Sequence, residues 1–118
     1  MKVLVVGSGG REHAIVSALS QSPRVRKIFT DSSNAGILKL ATQVDAVGME
    51  SLAQFAVSEG IDLTIVGPEQ PLVDGIADLF RTRGLKVFGP GAAAARLEGS
   101  KIFSEDLAVR HGIPTAHA

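Results

Sequence analysis

Four short stretches pair glycine with residues that can hold an anion or accept hydrogen bonds, and each follows an apolar run. They are Gly7-Ser8-Gly9-Gly10-Arg11 after residues 3–6, and Asp31-Ser32-Ser33-Asn34-Ala35-Gly36 after residues 28–30. Gly67-Pro68-Glu69 follows residues 63–66, and Gly89-Pro90 follows residues 85–88. Glycine lets the backbone approach a ligand closely. The start of a helix presents unpaired N–H groups and the positive end of its dipole. Arg11 adds a guanidinium fork shaped for phosphate oxygens. The chemistry implied is binding of a small anionic molecule.

Gly7-Ser8-Gly9-Gly10-Arg11-Glu12 begins like a dinucleotide fingerprint, but Glu12 stands where the third glycine belongs. A monophosphate held by Gly9, Gly10 and Arg11 fits this turn better than a pyrophosphate. Asp31 resembles the ribose-binding acid of nicotinamide enzymes, so a dinucleotide-binding domain is the rival reading. A non-enzymatic nucleotide-sensing module is a third. Glu69, after Gly67-Pro68, offers a carboxylate to sugar hydroxyls or an amine. Set against this, an acid near a helix start can simply complement the dipole. Asn34 and Gly36 are candidates for a second polar wall, and equally suit a turn. Lys101, after Gly99-Ser100, can reach a phosphate at a helix start or stand in solvent. His13, His111 and His117 show no metal spacing. No nucleophile–base pair and no paired-carboxylate site is visible, so no catalytic residue and no metal ligand is named.

These residues need elements to position them. Residues 2–6 form a continuous β-branched run, as in a strand buried on both faces. Ala14, Ile15, Ala18 and Leu19 recur at helical spacing until Ser22-Pro23. Residues 26–30 read as a second strand, 31–42 as one or two helical turns, and 43–47 as a weak strand at an edge. A helix over 50–59 closes at Gly60, and 62–66 is the next strand. Pro71 is expected at the first position of a helix that buries Leu72, Val73, Ile76, Ala77 and Phe80 and ends at Gly84. Residues 85–88 form a fifth strand, and 92–97 a short helix closed by Gly99. A further helix is expected from Ser100 to His111, carrying Phe103 and Leu107. The alternation predicts an α/β fold: a Rossmann-like open parallel sheet of about five strands with helices on both faces. Residues 1–99 would form the substrate-binding domain, and 100–118 the start of a connection to a further domain. In such sheets ligands bind beyond the carboxyl ends of the strands, where all four glycine stretches fall.

Composition narrows the class. Twelve Lys+Arg balance twelve Asp+Glu among 118 residues, so the basic excess of a general nucleic-acid binder is lacking. There is no cysteine, which removes disulfides and thiolate metal sites. No apolar run approaches the roughly 20 residues needed to span a bilayer. Met1-Lys2 leads directly into the first strand, so no signal peptide and a cytoplasmic location are expected.

Taken together, the segments resemble the phosphoribosylamine–glycine ligase family, also called glycinamide ribonucleotide synthetases, among the ATP-grasp ligases. The resemblance rests on Val5-Val6-Gly7-Ser8-Gly9-Gly10-Arg11-Glu12-His13-Ala14, Asn34-Ala35-Gly36 and the run 62–73 around Gly67-Pro68-Glu69-Gln70-Pro71. It continues through Phe88-Gly89-Pro90, residues 92–95, Leu97-Glu98-Gly99-Ser100-Lys101, Phe103 and residues 111–116, and so covers nearly the whole chain. The chain departs from the family at Ser32-Ser33, where Pro-Gly is frequent, and at Glu105, where lysine is common. The resemblance implies a monomeric enzyme that activates glycine with ATP and Mg²⁺ (or Mn²⁺) and passes it to 5-phosphoribosylamine. It implies that Gly9, Gly10, Arg11, Glu12, Asn34, Gly36, Pro68 and Glu69 serve the sugar-phosphate substrate, and that Lys101 meets ATP phosphates. Most of the nucleotide and metal site would belong to later domains, so the chain alone is expected to be inactive.

Overall fold

The computed structural model describes residues 1–89. Five parallel strands form one sheet in the order β3-β2-β1-β4-β5. They are β1 (Lys2–Val6), β2 (Lys27–Thr30), β3 (Thr42–Gln43), β4 (Leu63–Val66) and β5 (Val87–Phe88). The helices are α1 (Gly10–Ser20), α2 (Ala35–Leu38), α3 (Gly48–Glu59), α4 (Glu69–Val73) and α5 (Ile76–Thr82).

β1 lies at the centre because it is apolar on both faces. It pairs with β2 in the register Val3↔Ile28 and with β4 in the register Val3↔Leu63. Alternate residues feed two separate cores, as the strand period of two requires. Leu4 and Val6 join Phe29 and Val66 against Leu52, Ala53 and Ala56 of α3 and Ile76, Ala77 and Phe80 of α5. Val3, Val5 and Ile28 pack on the other face against Val16 of α1 and Ile37 of α2. Helices therefore cover both faces, as the sequence pattern requires.

Several boundaries differ from expectation. The third strand is Thr42–Gln43 rather than 43–47; it lies at the edge as expected, and Val44 N–H still donates to the Thr30 carbonyl at 2.7 Å. Val47 is instead the extended residue that starts α3 and is 89% exposed. The single helix expected after β4 is two. Gly75 breaks it with φ of 98°, in the left-handed region that glycine occupies without strain. Pro71 falls at the third position of α4 rather than the first. Its ring is still harmless, because the first four helical N–H groups have no intrahelical acceptor. β5 shrinks to two residues, and Phe88 stays 71% exposed. The helices expected over 92–97 and from Ser100 to His111 lie outside the described residues.

Candidate functional site

All five strands run parallel, so their carboxyl ends share one edge. Chain order reverses there between β1, followed outward by β2, and β4, followed by β5. A cleft of about 460 Å³ opens at this switch point, lined by Gly7, Ser8, Gly9, Gly10, Arg11, Glu12, Pro68, Glu69 and Gln70. Six of the eight substrate residues expected from sequence line it: Gly9, Gly10, Arg11, Glu12, Pro68 and Glu69.

One wall is the entry to α1. Gly9 is the N-cap in extended conformation, no side chain caps the helix, and the first helical bond runs from His13 N–H to the Gly9 carbonyl at 3.0 Å. The N–H groups of Gly10 and Glu12 precede that bond, so the helix itself supplies them with no acceptor. Uncapped donors beside the positive dipole end favour an anion. The other wall begins at Pro68, the N-cap of α4, followed by Glu69 in its first turn. Arg11 and Glu69 are both exposed at the cleft. The floor joins the two strand ends, where Gly67 N–H donates to the Val6 carbonyl at 3.1 Å.

Glu12 occupies this floor. It is only 4% exposed. A β-carbon at Gly67 would lie 2.5 Å from Glu12 Oε1 and 2.7 Å from its Cδ. A β-carbon at Gly7 would lie 2.6 Å from Glu12 Cγ and 2.7 Å from Pro68 Cδ, and Gly7 has φ of 121°. Gly7 is held to glycine by its φ and by Pro68, and a side chain at Gly67 would displace that of Glu12. The fingerprint's third glycine normally leaves that space to the close packing of helix on strand.

Asn34 and Gly36 do not line the cleft; they stand beside it. Asn34 caps α2, its Oδ1 accepting from the N–H groups of Gly36 at 2.9 Å and Ile37 at 3.2 Å. Its Nδ2 donates to the Ser8 carbonyl at 3.1 Å, which straps the β2 loop to the glycine turn. The departure at Ser32-Ser33 explains how this loop is held. Ser32 N–H donates to Thr30 Oγ1, and Asn34 N–H donates to Ser32 Oγ, so two side-chain turns position Asn34. Gly36 lies close under His13, since a β-carbon there would sit 3.4 Å from its Nε2.

Asp31 also has an internal role, because its Oδ1 accepts from Gly7 N–H at 3.0 Å. The acid that resembles a ribose ligand thus spends one oxygen on the glycine turn. Ser8 and Gln70 line the cleft and were not among the expected site residues; their neighbours in the two turns were the available signal. Lys101 lies outside the described residues. Among the described residues, no group of three or more His, Cys, Asp or Glu side chains could hold a metal ion. None of their helices is long and apolar enough to cross a membrane.

Comparison with known proteins shows the family and the fold. Residues 1–98 match the family model described as phosphoribosylglycinamide synthetase, N domain. The chain is 56% identical to the phosphoribosylamine–glycine ligase of Escherichia coli K12 over 120 aligned residues. That match covers 98% of this chain and 28% of the relative, so the chain spans little more than a quarter of the relative's length. Among solved structures, phosphoribosylamine–glycine ligase from Thermotoga maritima superposes with a TM-score of 0.71 at 28% identity, covering 99% of this chain and 26% of that one. The biotin carboxylase domain of a thermophilic 2-oxoglutarate carboxylase superposes with a TM-score of 0.69 at 21% identity, covering 97% of this chain and 28% of that one, a likeness of fold alone.

Proposed function

The chain belongs to the phosphoribosylglycinamide synthetase N-domain family, and from that premise we propose that it supplies the sugar-phosphate wall of a ligase. The reaction joins glycine to 5-phosphoribosylamine with conversion of ATP to ADP and phosphate. The observation that carries this reading is the cleft at the sheet's switch point, with uncapped N–H groups and Arg11 on one side and Glu69 on the other. The N–H groups of Gly10 and Arg11, with the Arg11 guanidinium, receive the phosphate of 5-phosphoribosylamine. Glu69 accepts hydrogen bonds from its ribose hydroxyls or amine, and so holds the nucleophilic nitrogen in place. Pro68 sets the entry angle of α4 and shapes the wall. Asn34 and Gly36 support the turn from the neighbouring loop.

Among the described residues, no cluster of His, Cys, Asp or Glu side chains fits a magnesium ion. ATP and Mg²⁺ belong to the remainder of the longer protein, with Lys101 reaching ATP phosphates from residues 100–118, the start of the connection to it. Residues 1–99 form the substrate domain of a cytoplasmic, monomeric enzyme.

Calorimetric titration of the 118-residue chain with ribose 5-phosphate and with NADH tests this reading. Saturable binding of ribose 5-phosphate without binding of NADH is expected. Binding of NADH alone would replace the proposal with a dinucleotide site.

A further inference from the structure

The fourth glycine stretch, at the end of β5, stands apart from the cleft, and Gly89 does not line it. Arg81, in the last turn of α5, holds this exit from the sheet. Its Nη2 donates to the Gly89 carbonyl at 2.5 Å and to the Val87 carbonyl at 3.4 Å. α5 is itself fixed to the core by Ile76, Ala77 and Phe80, each no more than 1% exposed. The backbone at Gly89 then closes on α4. A β-carbon there would stand 2.7 Å from Leu72 Cδ2, nearer than packed carbons come, and its φ of 157° suits glycine. Leu72 is only 3% exposed, so its side chain has little room to turn aside. α4 has five residues and no side-chain cap at its start, too short to hold its place by its own hydrogen bonds. What it packs against sets its position, and Leu72 lies three residues from Glu69, on the neighbouring turn of the same side.

We infer that Gly89 and Arg81 are positioning residues for the cleft: the exit of β5, latched by Arg81, butts on Leu72 and fixes the short helix that presents Glu69. They act through that helix rather than on the ligand. The phosphate is received on the opposite wall, at the start of α1, so this brace governs the sugar end of the site and not the phosphate end. A small displacement of a hydrogen-bonding group is enough to lose its contribution to binding. The inference rests on the sugar-phosphate reading and adds to it two residues, outside the cleft, that hold one wall in register.

The test compares binding of ribose 5-phosphate and of inorganic phosphate to the 118-residue chain by calorimetry, with a thermal melt of each variant. The wild type should prefer ribose 5-phosphate. Gly89→Ala should weaken ribose 5-phosphate binding roughly tenfold, the worth of a hydrogen bond to a charged group, and leave inorganic phosphate binding unchanged. Arg81→Met should do the same to a smaller degree. Arg81 is exposed, so that variant decides the matter if the alanine chain gives no cooperative melt. Each substitution is then repeated on Glu69→Gln. Residues that act through Glu69 should cost nothing further there, because effects along one line of contacts do not add. A purely structural role would weaken both ligands equally, or add its loss to that of Glu69→Gln, and either result overturns the inference. So would an unchanged preference in both variants; the sugar-phosphate reading would then survive without Gly89 and Arg81. A wild type with no preference for ribose 5-phosphate would sink both.

Discussion

Arg11 and Glu69 meet at one cleft from two different helices, so each can be tested without moving the other. Arg11→Ala removes the side-chain fork and leaves the backbone N–H groups. A hydrogen bond to a charged group is worth about 1.5–3 kcal/mol, so ribose 5-phosphate should bind roughly ten- to a hundredfold more weakly. Unchanged affinity by calorimetry would remove Arg11 from the phosphate site. A second residue lies in the core. Thr64 is fully buried on β4, and its Oγ1 has no hydrogen-bond partner. Thr64→Val keeps the branched shape and discards the orphaned hydroxyl, so stability should rise by about 1 kcal/mol. A urea melt with a raised midpoint and unchanged slope checks this; a fall would mean the hydroxyl is satisfied. Arg11 and Glu69 were legible in the sequence because they follow glycines at strand ends. The burial of Glu12 was not. An acid in a first helical turn ordinarily reads as dipole complement, and only the bare faces of Gly7 and Gly67 show the space made for it.

The elements that carry these residues were legible to different degrees, for identifiable reasons. β1 and β4 were plain from unbroken apolar runs, since a doubly covered parallel strand has no polar face. The break between α4 and α5 was hidden, because Leu72, Val73, Ile76, Ala77 and Phe80 keep helical spacing straight across Gly75. β3 was misplaced because two residues carry too little pattern to fix a register. The loop from β2 to α2 was ambiguous, and Asn34 decides it by joining the α2 cap to the Ser8 carbonyl. Replacing a capping Asn with Ala costs about 0.5–2 kcal/mol. Asn34→Ala should therefore lower stability by about 1–2 kcal/mol and weaken ribose 5-phosphate binding severalfold, because the turn loses its strap. Asn34→Asp keeps the cap but replaces the donor to Ser8 with an acceptor, so it should recover much of the stability and little of the binding. Full recovery of both in a melt and a titration would confine Asn34 to the cap.

At the scale of the whole molecule, two cores flank one sheet, and the site lies where the strand order reverses. Such a unit has its own interior, so the 118-residue chain should fold cooperatively by itself. It should nevertheless catalyse nothing. The chain spans 28% of the Escherichia coli relative's length, and the role proposed for its cleft is to hold one substrate. Transfer of a phosphoryl group from ATP needs cations and charged clamps around the phosphates, and the described residues include no metal-holding cluster. Supplied with glycine, ATP, Mg²⁺ and 5-phosphoribosylamine, the purified chain should release no ADP above the uncatalysed rate, while still giving one cooperative thermal transition. That transition should rise in temperature as ribose 5-phosphate is added, since a ligand that binds only the folded state stabilises it by mass action. ADP release by the chain alone would place the catalytic groups within these residues and overturn the division of labour. A melt indifferent to ribose 5-phosphate at concentrations that saturate binding would mean that the ligand does not discriminate folded from unfolded chain, and the cleft would lose its claim to be the site.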